Sequence, residues 1–247
     1  MRTKSFFMPS LFTFLNFFWG FFAITEILRG DLPNAAWFIL IAVLCDGMDG
    51  KLARWTHSET TFGFELDSLA DLISFGLAPA LLVYVGVLSR YSLFGFSVCF
   101  LYVFAGGYRL ARFNTIQKGD RSSGYIGLPI PVAGIAIAAL WIFKWPFQVI
   151  LPVEVWIVFM FFLIFMMMST IAYDWPKISF IEGWYIALQS VSILLCVLFM
   201  AIFPHRILFP VLLFYILLGM KNWVVSLIRG EVTFVELIMP LQKNKND

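Results

Sequence analysis

Long apolar runs, separated by short polar segments, set the pattern of this chain. About eight of them are long enough for a helix that crosses a bilayer, which needs roughly 20 apolar residues. The runs do not alternate between apolar and polar positions, so they favour helices over the strands of a membrane barrel. The pattern predicts an all-α, polytopic membrane helix bundle. The predicted spans are 10–28, 34–54, 66–88, 92–113, 126–144, 147–171, 181–203 and 207–228.

Turn-forming residues mark the ends of the runs, as in RGDLPN at 29–34 and DWPK at 174–177. No internal repeat or low-complexity linker separates the runs, so we expect one domain over residues 1–247 with a polar tail from about 241–247. No small-residue cleavage site follows the first run, which predicts a retained first span rather than a signal peptide.

The basic residues predict the orientation of the bundle. Eight spans place both termini on one side, and most of the 17 lysines and arginines fall on that side. Only Arg29, Arg90, Lys144 and Arg206 fall on the other. Because basic residues concentrate in cytoplasmic loops, both termini are expected to be cytoplasmic. A retained first span fits a prokaryotic cytoplasmic membrane.

The composition excludes a soluble domain. Hydrophobic residues make up 61% of the chain and charged residues 13%, whereas soluble domains carry about 45–50% and about 25%. We therefore expect membrane lipids, and no nucleic acid, among its partners. The three cysteines, Cys45, Cys99 and Cys196, have no motif spacing and predict neither a metal site nor a disulfide framework.

Four aspartates stand out against this apolar background. Asp46 and Asp49 are three residues apart, and Asp67 and Asp71 are four apart, so each pair shares one helix face. If the second and third spans are neighbours, the two pairs meet at the cytoplasmic ends of these spans. Four unpaired carboxylates would repel one another, and hard divalent cations such as Mg²⁺, Mn²⁺ or Ca²⁺ would relieve this. We predict a site for two such ions.

Small and basic residues beside the aspartates point to a phosphorylated ligand. Gly50 and Ala53 lie on the Asp46 face and leave a slot, and Arg54 can pair a phosphate through two hydrogen bonds. Cations, a slot and an arginine together suit a diphosphate and phosphoryl transfer. Two other interpretations remain at this stage, namely helix packing through small residues and an ion or proton pathway.

Residues 46–71 read D-x-x-D-G-x-x-A-R-x(8)-G-x(3)-D-x(3)-D. This resembles the signature of the CDP-alcohol phosphotransferase family at every position. The resemblance implies that a CDP-linked lipid or alcohol is cleaved at its diphosphate, that CMP leaves, and that a hydroxyl receives the phosphoryl group. It also implies that Asp46, Asp49 and Asp67 are metal ligands, and that Asp71 is the general base and lies against the second metal.

The resemblance also implies a CDP site. The N-terminal SLFTFLNFFWG resembles the first span of the family, in which two polar residues face the nucleotide. Such polar residues also commonly bond to the backbone of their own helix. The predicted CDP-binding residues are Thr13, Asn16, Gly50, Ala53, Arg54, Thr60 and Gly63.

Three further segments resemble the phosphatidylserine synthase branch of the family: SFGLAP at 74–79, GGYRLARFN at 106–114 and GLPIPVAG at 127–134. This branch implies CDP-diacylglycerol and L-serine as substrates, and the family implies a homodimer. Arg109 and Arg112 lie three apart at the end of the fourth span, where they suit the serine carboxylate or the lipid phosphate. Cytoplasmic anchoring by basic residues is the alternative.

The sequence leaves two alternatives to this function open. An enzyme of the same family would use inositol phosphate, glycerol 3-phosphate or choline as acceptor. A cation transporter, the more distant alternative, would release no CMP.

Overall fold

The fold is a bundle of apolar helices. The structure, a computed structural model, describes residues 7–56, 60–117, 125–144, 151–169, 172–173 and 204–228. Within these ranges the α-helices are α1 (Phe7–Arg29), α2 (Leu32–Thr56), α3 (Thr61–Asp71), α4 (Ala78–Val83), α5 (Ser92–Gln117), α6 (Ile130–Lys144), α7 (Val153–Met168) and α8 (Pro204–Ile228).

The helical class predicted from the sequence is confirmed, and each predicted span that falls on described residues overlaps a helix. The predicted span 181–203 lies outside the described residues. The fifth span begins later than expected, at Ile130, because β1 (Tyr125–Ile126) pairs with β2 (Ala172–Tyr173) and Gly127 turns the chain at φ +80°. The number of membrane crossings and the orientation of the termini stay predictions.

The first two helices form an antiparallel hairpin. Gly30 ends α1 with φ +84°, a conformation that glycine adopts without steric cost. Asp31 then begins α2, accepting the backbone N–H of Asn34 on its side chain. The hairpin closes through aromatic packing, in which Trp19 stacks on Phe38 with ring centroids 5.4 Å apart.

The third span is an interrupted helix. Two π-helical segments, π1 (Leu72–Leu77) and π2 (Tyr84–Leu88), flank α4. Single turns of this kind are rare and often occur at functional sites. After π2 the chain reverses through a short 3₁₀ turn and Ser92, whose φ is +48°. α5 then returns antiparallel to the third span, and the Tyr102 hydroxyl donates to the Phe75 carbonyl at 3.1 Å.

The sixth helix occupies the centre of the bundle. Ten of its residues are buried, and small residues let its neighbours approach. A Cβ on Gly134 would lie 2.9 Å from the Phe75 Cα, so the two backbones are in direct contact. The indole ring of Trp141 occupies the space where a Cβ on Gly86 would lie. This centre fixes the third span, which carries two of the signature aspartates.

The outer surface is apolar where a soluble protein would be polar. Phe96, Phe100 and Phe104 form a stacked row along α5 and are each more than half exposed. Residues 11–29 and the helical run 61–115 are long and apolar enough to cross a membrane, and four shorter apolar helices accompany them. A large exposed apolar surface of this kind suits contact with lipid chains.

Candidate active site

Three of the four signature aspartates meet at one point of the fold. Asp46 comes from α2, and Asp67 and Asp71 come from α3. One carboxylate oxygen of each lies within 4.8 Å of the others. Asp46 and Asp67 are half-buried, and Asp71 is buried with only 7% of its surface exposed. The sequence prediction that the two aspartate pairs meet therefore agrees with this placement for three members.

The fourth aspartate and the slot residues are on the same helix. Asp49, Gly50, Ala53 and Arg54 lie in the last turns of α2, but their side chains are outside the described part of the chain. Asp49 follows Asp46 by three residues, a spacing that predicts a shared helix face. Their assignments to the metal and to CDP stay predictions.

The donor set fits a divalent cation. Three ionised carboxylates at this separation would repel by about 3–4 kcal/mol per pair at an effective dielectric constant of ~20. A hard divalent ion reverses the sign of that interaction and prefers oxygen ligands. The three carboxylates come from two helices and not from one surface turn. The packing of these helices therefore brings the carboxylates together.

The start of α3 is set by Thr60 and Gly63, which the sequence assigned to the CDP site. Thr60 is the N-cap of α3, and its hydroxyl accepts the N–H of Gly63 at 3.0 Å. A Cβ on Gly63 would lie 3.1 Å from that hydroxyl oxygen, so glycine leaves room for the cap. Both residues thus begin the helix that carries Asp67 and Asp71, and a contact with CDP stays a prediction.

Two polar residues of the first helix are buried, and one of them contacts the aspartates. Thr13 and Asn16 are both buried, with 3% and 0% of their surfaces exposed. Asn16 donates from Nδ2 to an Asp71 carboxylate oxygen at 3.1 Å. The sequence placed these residues beside the nucleotide, and the structure places Asn16 beside the predicted base.

The two arginines of α5 have different environments. Arg112 donates from Nη1 to the Met168 carbonyl at 2.9 Å and from Nη2 to the Ser169 carbonyl at 2.8 Å. It therefore caps the C-terminal end of α7, whose last carbonyls have no partner within the helix. Gly127 packs against this guanidinium so closely that a Cβ would lie 2.6 Å from Nη2.

Arg109 lies one turn earlier on α5. It is buried, with 4% of its surface exposed, and its guanidinium carbon lies 5.0 Å from the centroid of the Phe113 ring. Phe113 in turn contacts Phe64 of α3. Arg109 therefore stacks on a ring that contacts the helix of the aspartates, whereas Arg112 bonds to the end of α7.

A polar contact between α3 and α5 was not predicted from the sequence. Asn114 donates to the Ser68 hydroxyl at 3.1 Å and to Glu65 at 3.2 Å. Ser68 directly follows Asp67, so this contact fixes the face of α3 next to the metal ligands. Asn114 is the last residue of GGYRLARFN, one of the segments that resemble the phosphatidylserine synthase branch. This segment is the sequence signal that could have pointed to Asn114.

Comparison with known proteins identifies the family of the chain. The model of the CDP-alcohol phosphatidyltransferase family matches residues 6–171, which is more than half of the chain. The chain belongs to this family. The match covers every described aspartate of the site and both arginines of α5. Together with the apolar surface of the helices, this membership indicates a membrane-bound protein.

Curated relatives carry serine in their names. The CDP-diacylglycerol–serine O-phosphatidyltransferase of Helicobacter pylori (strain ATCC 700392 / 26695) is 38% identical over 129 residues, which cover 52% of this chain and 54% of the relative. Its Bacillus subtilis (strain 168) counterpart is 35% identical over 134 residues, or 54% of this chain and 75% of the relative. The archaetidylserine synthase of Methanothermobacter thermautotrophicus is 39% identical over 138 residues, or 55% and 58%. The chain thus spans about half the length of two of these relatives.

Proposed function

We propose that this protein transfers the phosphatidyl group of CDP-diacylglycerol to the hydroxyl of L-serine, giving phosphatidylserine and CMP. The observation that carries the proposal is the meeting of Asp46, Asp67 and Asp71, whose oxygens lie within 4.8 Å of one another. The names of the relatives support the acceptor. Two of them contain CDP-diacylglycerol and the third an archaetidyl group, but all three contain serine.

The cofactor in this proposal is a pair of divalent cations, Mg²⁺ or Mn²⁺. Asp46, Asp49, Asp67 and Asp71 would hold them. When bound, such cations offset the negative charge of a diphosphate and of the leaving CMP. Arg54, in the last turns of α2, would add positive charge on the same side.

Asp71 is the general base of the proposed reaction. It takes the proton of the serine hydroxyl while the hydroxyl oxygen forms a bond to the lipid-side phosphorus. The bond between that phosphorus and the oxygen of CMP breaks, and CMP leaves with the electron pair. Asp71 suits this role because it is the most buried of the three clustered carboxylates and is held by Asn16 at 3.1 Å.

Arg109 would bind the carboxylate of serine. It is buried and stacks on Phe113, which contacts Phe64 of α3. A guanidinium can form strong, paired hydrogen bonds to a carboxylate. Arg112 was predicted to share this task, but its donors already satisfy the carbonyl groups at the end of α7. We therefore propose Arg109 as the acceptor residue and Arg112 as the residue that fixes α7 against α5.

The remaining contacts of the proposed enzyme follow the family resemblance. CDP would lie against Thr13, Gly50, Ala53, Arg54, Thr60 and Gly63. The resemblance adds Asn16 to this set, but its NH₂ group donates to Asp71. We propose a homodimer in a prokaryotic cytoplasmic membrane, with about eight spans and the site facing the cytoplasm. The exposed phenylalanine row of α5 supports contact with lipid chains or with a second copy.

The test is an acceptor panel. Purified protein in detergent receives CDP-diacylglycerol and Mn²⁺ or Mg²⁺, and CMP release is measured with L-serine, inositol phosphate, glycerol 3-phosphate or choline. Serine-dependent release that stops with EDTA is expected. Release with another acceptor alone would keep the aspartate chemistry and reject serine. No release with any acceptor, but cation flux in liposomes, would favour a transporter.

A further inference from the structure

One hydrogen bond ties the first helix to the predicted base. Asn16 is fully buried on α1, and its Nδ2 donates to Oδ1 of Asp71 at 3.1 Å. Because an ionised carboxylate only accepts hydrogen bonds, the amide group must turn its NH₂ toward Asp71. This orientation directs the amide oxygen away from Asp71. That oxygen is buried and has no hydrogen-bond partner among the described residues.

The backbone of Asn16 is fixed from the other side of the crossing. The Ser74 hydroxyl, in π1, donates to the Asn16 carbonyl at 2.9 Å. One turn further along α1, a Cβ on Gly20 would lie 2.7 Å from the Ser74 Cα, so the two backbones touch there. Since π1 begins directly after Asp71, the same crossing fixes both Asn16 and the helix end that carries Asp71.

We propose that Asn16 is a positioning residue for Asp71. This inference rests on the proposed function, in which Asp71 is a metal ligand and the general base. The amide holds Oδ1 and so fixes the rotamer of the carboxylate, which leaves Oδ2 for the cation and for the serine hydroxyl. The family resemblance assigns Asn16 to the nucleotide, but the hydrogen bond from its NH₂ group goes to Asp71.

The two roles predict different losses. A nucleotide contact lowers the affinity for CDP and leaves cation binding unchanged. A positioning residue lowers cation affinity and turnover but not the affinity for CDP. The removal of a hydrogen bond to a charged group typically changes such constants by about 10- to 100-fold.

The experiment compares Asn16→Leu, which keeps most of the volume but no donor, with Asn34→Ala. Asn34 is a matched control, because its Nδ2 also donates to an aspartate, Asp31, at 2.7 Å, at the exposed start of α2. Mn²⁺ binding to the purified full chain is titrated by electron paramagnetic resonance without substrate. CDP binding, kcat and the KM for CDP-diacylglycerol are then measured at saturating Mn²⁺.

Asn16→Leu is expected to weaken Mn²⁺ binding and to lower kcat by about tenfold or more each, with CDP affinity and KM within about twofold of wild type. Asn34→Ala is expected to leave all four constants unchanged. Ser74→Ala deletes only the hydroxyl that holds the Asn16 carbonyl, and is expected to give a smaller loss in the same two constants. It provides the test if Asn16→Leu does not fold.

The opposite split would overturn the inference: wild-type Mn²⁺ binding and kcat in both variants, with weaker CDP binding in Asn16→Leu. A wild-type protein that binds no Mn²⁺ would overturn it as well. Failure of the proposed function can be told apart from failure of this inference, because the Mn²⁺ titration contains no acceptor. If no acceptor released CMP while Asn16→Leu still weakened Mn²⁺ binding, the positioning role would stand and the choice of serine would fail.

Discussion

Arg112 donates to the carbonyl oxygen of Ser169 at 2.8 Å, across 57 residues of the chain. The same guanidinium bonds to the last carbonyl group of α7, so one side chain of α5 closes the end of another helix. Gly127 and Leu128 complete this closure, since the Leu128 N–H donates to the Met166 carbonyl at 3.0 Å. Arg112 is thus part of the scaffold that holds α5, the helix of Arg109, in place.

Replacing Arg112 is expected to affect stability more than substrate affinity. Arg112→Ala leaves buried carbonyl groups without donors, and each hydrogen bond to a charged group is worth about 1.5–3 kcal/mol. We expect a drop in Tm of several degrees in detergent, and an unchanged KM for serine in whatever activity remains. Arg90→Ala, at an exposed arginine near the other end of α5, is the control and should unfold like wild type. A stable Arg112→Ala protein with a tenfold higher KM for serine would instead make Arg112 an acceptor ligand.

Replacing Arg109 is expected to affect the acceptor. If its guanidinium binds the serine carboxylate, Arg109→Ala should raise the KM for serine by about 10- to 100-fold. Arg109→Lys keeps the charge but not the paired geometry, so it should recover only part of this loss. Steady-state kinetics would measure the KM for serine, with the KM for CDP-diacylglycerol as an internal reference. An equal rise in both constants would point to a general distortion of α5 rather than to a serine contact.

Replacing Asp71 is expected to abolish most of the turnover. Asp71→Asn keeps the shape of the side chain but cannot take a proton at the same oxygen, and a positioned base is typically worth about 10²–10⁴ in rate. We expect a kcat loss in that range with a helical circular dichroism spectrum like that of wild type. Asp46→Asn should weaken Mn²⁺ binding as well as turnover. An Asp71→Asn protein with wild-type kcat would reject Asp71 as the base.

The contact between Gly20 and Ser74 predicts a stability effect at the crossing of α1 and π1. In Gly20→Ala the new Cβ would lie 2.7 Å from the Ser74 Cα, so α1 must move away from π1. Overpacking of this kind costs about 1–3 kcal/mol, which a lower Tm would report. Gly47→Ala is the matched control, because nothing lies within 4 Å of a Cβ there and alanine favours a helix by about 1 kcal/mol. Equal Tm values for the two variants would argue against a close crossing.

The helices and the aspartate cluster were predictable because they depend on local periodicity. Apolar runs of bilayer length become helices, and i, i+3 and i, i+4 spacings place carboxylates on one face. The spacing of Asp67 and Asp71 alone predicts that they share a face of α3. Their meeting with Asp46 required only that the second and third spans be neighbours, which short connections favour.

Other features depend on partners that are distant in sequence. Arg109 and Arg112 look alike in the sequence. In the structure, Arg112 bonds to carbonyl groups at the end of α7, whereas Arg109 stacks on Phe113. The π-helical turns have no periodic signature, so the role of Ser74 in holding the Asn16 carbonyl was not predictable, although SFGLAP was noted as a branch motif. The resemblance assigns Thr60 to CDP, and only the structure shows that its hydroxyl caps α3.

The most direct test of the central claim measures the ratio of CMP released to serine incorporated into lipid. Purified protein is given CDP-diacylglycerol, radiolabelled L-serine and Mn²⁺, and both CMP and labelled lipid are measured over time. The account predicts equimolar formation of CMP and labelled phosphatidylserine, and neither product when EDTA is present. When Asp71→Asn replaces the wild-type protein, both products should form about 10²–10⁴ times more slowly. CMP release without incorporation of serine into lipid, or labelled lipid formation that persists in EDTA, would contradict it.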